Sequence, residues 1–283
     1  MTTHLVGTGS ESAAQRFAAA WILALRITRL NLRARLEYRA EFLLTVLTGL
    51  VWQTSILVFA SVLLVRFPGM GGWTSPQVLL IASMRMVSHA LFILLFGRVL
   101  WITGLVQLGS IEAFLLRPLP VYRQVQLSMF SVNAIGDLLV AATLTTMAVT
   151  RFDLPWTPAR VALLLAGLLG GLLVEAAVHT AISAFGLHLG GTVYWSNWTE
   201  ELMATFGNYP LNILPKVAQA ALTYVLPIAF LAYLPASLVT GQTQGRAVPG
   251  LVVALIPLVG LGAFVASRLF WNASLRRFPG VSG

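Results

Sequence analysis

The chain predicts an all-α integral membrane protein with six transmembrane helices. It adds an N-terminal amphipathic helix at the interface, a short cytoplasmic helix after the second span, and a re-entrant, extracellular-side helical hairpin before the last span. Three observations lead to this class. Of 283 residues, 58% are hydrophobic and 10% are charged, whereas soluble domains carry about 25% charged residues. Apolar runs long enough for a ~30 Å hydrocarbon core recur along the chain. Basic residues collect at the ends of those runs, where they orient a membrane protein.

Residues 16–41 read as the interfacial helix. Phe17, Trp21, Leu25, Leu32 and Leu36 recur on one face, with Arg26, Arg29, Arg33 and Glu37 on another, as in helices that lie in the headgroup layer. Residues 42–65 hold no charge and form the first span. Pro68, Gly69, Gly71, Gly72 and Pro76 mark a turn, and 78–97 is the second span, carrying Arg85 and His89. The segment 103–120 interrupts the apolar pattern with an acid, an Arg and two prolines. The third span is 125–150 with Asp137 inside it, and the fourth is 161–186 with Glu175 and His179. A shorter fifth span, 192–209, includes Glu200 and Glu201. Pro210, Pro215, Pro227 and Pro235 break the region 210–240. Non-helical backbone at membrane depth survives only where protein covers it, so this region reads as the re-entrant hairpin. The last span is 248–269.

With the N-terminus inside, twelve arginines fall on the cytoplasmic side: Arg16, Arg26, Arg29, Arg33, Arg35, Arg39, Arg98, Arg117, Arg123, Arg268, Arg276 and Arg277. Arg66, Arg151, Arg160, Lys216 and Arg246 fall outside. This asymmetry favours six spans with both termini cytoplasmic. The net charge of +9 is thereby accounted for by lipid, without nucleic acid. Met1 to Gln15 shows no signal-peptide pattern, so the first span is expected to direct insertion itself. Cysteine is absent. No GxxxxGK[ST] phosphate loop occurs, so no nucleotide-binding domain is expected in this chain.

Ionisable residues inside spans are costly and become functional candidates. Arg85 and His89 are four residues apart, as are Glu175 and His179, so each pair shares a helix face. They, with Asp137, Glu200 and Glu201, either line a cavity for a polar or cationic substrate or pair with one another inside the bundle. Gly167 with Gly171, and Gly186 with Gly190, are small-residue pairs that let helices approach. Tyr194, Trp195, Trp198, Phe206 and Tyr209 either line a path for cargo or form an interfacial belt. The four histidines show no metal-ligand spacing of the HExxH kind, and no nucleophile arrangement is evident, so neither metal site nor catalytic site is expected.

In the interrupting segment, Ile111, Leu115 and Leu116 can share one face of a short helix. Glu112 and Arg117 can pair with a partner, and Pro118 with Pro120 stiffens the exit. Four stretches, LRARLEYRAEFLL, GSIEAFLLRPLP, FGNYPLNILP and LTYVLPIAFLAYLPASLVTG, together resemble the permease subunit of bacterial type-2 ATP-binding-cassette exporters, in the branch of daunorubicin- and viologen-type efflux permeases. The resemblance implies a six-span half-transporter of the bacterial inner membrane. It assigns Gly109, Ile111, Glu112, Leu115, Leu116, Arg117 and Pro118 to a coupling helix that contacts a separate cassette ATPase, present in two copies. It implies a second permease, identical or homologous, and ATP with Mg bound by the ATPase and not by this chain. The cargo it implies is a hydrophobic or amphipathic small molecule. The competing reading is an ion-coupled carrier or membrane-embedded enzyme using Asp137, Glu175 and His179. A carrier of that kind should show internal repeats, and none is evident.

Overall fold

A computed structural model describes residues 69–117, 119–128, 131, 133–151, 155–243 and 248–280, with scattered positions between 26 and 66. Most of the expected interfacial helix 16–41 and first span 42–65 lies outside the described residues, as does Pro118. The scattered positions, Leu43, Leu47 and Val51 among them, are helical and exposed.

The described chain is helical apart from a small antiparallel pair, β1 (Gly69–Met70) with β2 (Trp73–Thr74). Helix α1 (Ser75–Phe96) starts directly after it. Its first turn is capped by the Gln77 Oε1 atom, which accepts from the Thr74 backbone N–H at 2.9 Å, and Pro76 occupies a position whose N–H would have no helical partner. A 3₁₀ turn (Gly97–Trp101) joins α1 to α2 (Ile102–Gln107), giving one continuous run from Ser75 to Gln107. The Ser183 hydroxyl donates to the Val99 carbonyl in that turn at 3.0 Å, so the altered backbone stays paired. The second span is thus ten residues longer at its C-terminal end than the sequence suggested.

Short helices α3 (Glu112–Leu115) and α4 (Val121–Leu127) follow, then α5 (Asn133–Thr150). Within the expected third span, 125–150, Ser128 and Ser131 are therefore not helical. Helix α6 (Pro158–Gly186) begins with Thr157 as its N-cap, accepting from the Arg160 N–H at 3.3 Å. Helix α7 (Thr192–Phe206) comprises 15 residues, or about 22 Å, shorter than the ~30 Å core. The region after it is broken as the prolines indicated: a 3₁₀ turn (Leu211–Ile213), α8 (Lys216–Ala220), a π-turn (Ala221–Val225), a 3₁₀ turn (Ile228–Phe230) and α9 (Tyr233–Thr240). Pro210, Pro215 and Pro227 each sit at the N-cap of the next piece. Pro235 does not break anything. It lies in the first turn of α9, where its missing N–H costs no helical bond. Helices α10 (Gly250–Ala254) and α11 (Ile256–Arg276) end the chain, and the last helix runs beyond the expected 269.

Among the described residues, four helical runs are long and apolar enough to cross a membrane: Ser75–Gln107, Asn133–Thr150, Pro158–Gly186 and Ile256–Arg276. Helices α1 and α6 run parallel, because contacts advance together along both. Met84 approaches Gly167, Ser88 donates to the Leu168 carbonyl, and His89 meets Glu175. Helices α6 and α11 are parallel by the same test, with Gly170 against Ile256 and Phe185 against Phe270.

The main core lies between α1, α6 and the broken segment. Ile228, Ala229, Leu231, Ala232, Leu234 and Ala236 are almost wholly buried, so the irregular backbone is covered by protein, as non-helical backbone at membrane depth must be. Glycines make this possible. A Cβ on Gly171 would lie 2.5 Å from the Leu231 carbonyl oxygen, and one on Gly167 would lie 2.5 Å from the Pro235 Cβ. This pair packs the broken segment against α6 within the chain. Gly186 lies against Thr103, while Gly190 faces open space. Because the Gly171 neighbour is backbone, Gly171→Ala is expected to destabilise the protein by about 1–3 kcal/mol. A lowered melting temperature in detergent checks this, with Gly190→Ala expected to leave it unchanged. The turn between β1 and β2 is tied to the same region, with Asn212 Nδ2 donating to the Gly71 carbonyl and Gln242 Nε2 to the Gly72 carbonyl, at 2.6 and 2.8 Å.

Candidate functional site

Two places gather residues that packing alone would not require. The first is a charged cluster inside the bundle. Arg85 and His89 share one face of α1, and Glu175 and His179 share one face of α6 at the same depth. Glu200 reaches them from α7. The Glu175 Oε1 atom lies 2.7 Å from His89 Nδ1 and 3.4 Å from Arg85 Nη2. Glu200 Oε1 lies 3.6 Å from His89 Nδ1 and 3.8 Å from Arg85 Nη2. Its other oxygen lies 3.2 Å from His179 Nε2.

Burial is uneven across the cluster. The Arg85, Glu175 and His179 side chains are buried, whereas His89 and Glu200 remain 29% and 30% exposed. Two surroundings hold the geometry. The Arg85 Nε–H donates to the Met203 carbonyl at 3.4 Å, and Gly207 leaves room beside its stem. The His179 ring stacks on Phe92 with centroids 5.2 Å apart.

Two carboxylates face one guanidinium, so with both imidazoles neutral the cluster is one positive charge short. Among the described residues, the Glu175 Oε2 atom and the His179 Nδ1 atom have no hydrogen-bond partner. One donor atom each from His89, Glu175 and Glu200 lies within 4.8 Å of the other two, a set able to hold a metal ion. Sequence spacing alone did not suggest it, since the three come from three helices. Asp137, half-buried on α5, and Glu201, exposed on α7, take no part in these ion pairs. Tyr194, Trp195 and Trp198 project from α7 exposed, while Phe206 and Tyr209 are half-buried.

The second place is the loop between α2 and α4. Gly109 adopts φ +69°, a left-handed conformation that other residues enter only at a cost. The turn it makes sends Ile111 inward. Ile111 is fully buried among Val99, Ile102, Val121, Val125 and Trp271, so it does not share an outward face with Leu115 and Leu116. Leu108, Leu115, Leu116 and Leu119 are the exposed ones, Leu116 at 88%.

The loop is tied down from below. Gln124 Nε2 donates to the Phe114 and Leu119 carbonyls at 2.9 and 2.5 Å, and the Arg117 guanidinium lies 5.6 Å from the Phe114 ring centroid. Beneath it, the Tyr122 hydroxyl and the Thr180 hydroxyl hydrogen-bond at 2.9 Å, and the Arg268 guanidinium covers the Tyr122 ring at 3.4 Å. Burial pushes the Tyr122 phenol above its ordinary value, against the opposing effects of Thr180 and the Arg268 charge. A cavity of 380 Å³ adjoins the loop, with Gln107, His188, Gly191 and Phe278 in its wall. His188 Nε2 lies 3.0 Å from the Ser274 carbonyl. The Gly109 turn makes a further prediction: Gly109→Val is expected to cost about 1–3 kcal/mol and to increase proteolytic cleavage between residues 107 and 120.

A multi-pass helical bundle with a charged interior and a braced loop displaying leucines has the features of the membrane subunit of a transporter. Residues 50–282 match the family model described as ABC-2 family transporter protein, and the chain belongs to that family. Comparison with curated proteins and with solved structures returned no match. The family makes this chain a permease component of an ABC transporter, a transport subunit and not an enzyme.

Proposed function

We propose that this chain is half of the translocation pathway of an ATP-driven exporter of hydrophobic or amphipathic small molecules, close to daunorubicin- and viologen-type efflux permeases. A second permease, identical or homologous, supplies the other half. Two copies of a separate cassette ATPase bind ATP and Mg and drive the cycle. The observation that carries the reading is the α2–α4 loop. Four exposed leucines stand on a short segment whose buried side, through Ile111, is anchored in the bundle. An element so braced transmits displacement from a soluble partner instead of absorbing it. In this reading six spans cross the bacterial inner membrane, with both termini cytoplasmic. The first is 42–65, and α7 with the broken segment makes up the fifth and the re-entrant hairpin.

The carrier or enzyme alternative needs Asp137 together with Glu175 and His179, and Asp137 takes no part in their ion pairs. The proposal is tested by reconstituting the permease with its ATPase in liposomes. ATP hydrolysis is expected to rise when an amphipathic cargo is added, with cargo accumulating on the side away from the ATPase. An assembled complex that hydrolyses ATP without moving any cargo would make the chain a scaffold and overturn the exporter reading.

A further inference from the structure

We propose that His89, Glu175 and Glu200 form a binding site for one divalent first-row transition-metal ion, which clasps α1, α6 and α7 together inside the bundle. The inference rests on the cluster's geometry and does not depend on ATPase coupling. Ligands bound at about 2.0–2.2 Å from a tetrahedral ion stand roughly 3.3–3.6 Å apart. The His89 Nδ1 atom is 2.7 Å from the Glu175 carboxylate and 3.6 Å from that of Glu200, so small side-chain shifts bring all three onto one ion. One imidazole and two carboxylates suit Zn²⁺, Mn²⁺ or Co²⁺. The half-exposed His89 and Glu200 side chains form the open side, through which an ion enters and where water completes its coordination.

The outer groups fit the same role. Carboxylates that bind metals are themselves held by a second ring of partners. Arg85 is placed on Glu175 and His179 on Glu200, at 3.4 and 3.2 Å. A proton is the competing occupant. A proton on His89 would balance the charge, yet it would not draw Glu200 onto the same centre as Glu175. A shared ion engages that carboxylate and draws Glu200 in with it. Arg85 then offsets a carboxylate charge without competing for the ion.

The test uses the full-length protein in detergent, stripped with a chelator and titrated with Co²⁺ alone. The expected result is one Co²⁺ per chain, with visible absorption bands that Zn²⁺ displaces and a raised melting temperature on loading. Glu200→Gln is expected to abolish the bands. His179→Gln, a positioning change, is expected to weaken binding 10- to 100-fold while leaving the bands' shape unchanged. X-ray absorption of the Zn²⁺-loaded wild type is expected to show a single imidazole ligand, a readout that needs no variant to fold. Wild-type protein that binds no Co²⁺ above its buffer overturns the site. So does metal binding that survives Glu200→Gln, and so does a cluster whose stability follows pH but not metal. Retention of the ATPase in any of these outcomes leaves the transporter reading intact, so the two proposals fail separately.

Discussion

Leu108→Asp combined with Leu116→Asp is expected to abolish recovery of a cassette ATPase with this permease from native membranes, while the permease itself stays folded. The two side chains are 79% and 88% exposed, so changing them removes little from the bundle. In a complex they would fill apolar ground on a partner. Burying a leucine contributes roughly 1.5–3 kcal/mol, so losing two weakens the contact by about 3 kcal/mol or more. That is on the order of 10²-fold in affinity, before the cost of burying two carboxylates. Ile111→Ala is the instructive contrast. It lies in the same loop but faces inward, and it is expected to lower the melting temperature through a core cavity costing about 2–5 kcal/mol. Affinity recovery with quantification of the ATPase, beside a thermal melt, separates the two effects. Undiminished recovery with the double aspartate variant would remove the loop from the interface.

The sequence carries the bundle more clearly than the site, for physical reasons that particular residues show. Long apolar runs declare their own helices, and α6 departs from expectation only by three residues at its start, where Thr157 and Pro158 make the cap. The four-residue spacings of Arg85 with His89 and of Glu175 with His179 are local, so each shared face was legible. Their convergence was not, because it depends on α1 and α6 running parallel at one register, across 86 residues of chain. Glu200 was visible as a charge in an apolar region, but nothing local says that α7 turns it toward His179. Ile111 went astray for the same reason. The period through 111, 115 and 116 stays within one short helical segment, and only the packing of Ile111 against Val99, Ile102 and Trp271 shows that its start faces the bundle while Leu115 and Leu116 stay outside. Pro235 likewise resembles a break in isolation, and only the start of α9 at Tyr233 makes it harmless.

Arg85→Met is expected to be among the most destabilising single changes in the chain, and the reason lies in what it leaves behind. The guanidinium lies within 3.4 Å of Glu175 and 3.8 Å of Glu200. Its removal leaves the fully buried Glu175 carboxylate with the His89 imidazole, at 2.7 Å, but without its fixed positive charge, and breaking a buried pair on one side costs about 3–5 kcal/mol. Removing both partners is a different experiment. Arg85→Met with Glu175→Leu takes away the buried carboxylate along with its counter-ion, and such replacements are often neutral or stabilising. The double variant is therefore expected to recover much of the loss, and a double-mutant cycle on melting temperature gives the coupling directly. Transport then reads the other half of the question. If the cluster serves packing alone, the recovered double variant exports cargo at the wild-type rate. If its charges act on the cargo or on the rearrangement of α1 against α6, the double variant folds and binds the ATPase but does not transport. An additive pair of losses would instead mean that Arg85 and Glu175 contribute independently, and that the 3.4 Å contact holds no energy of its own.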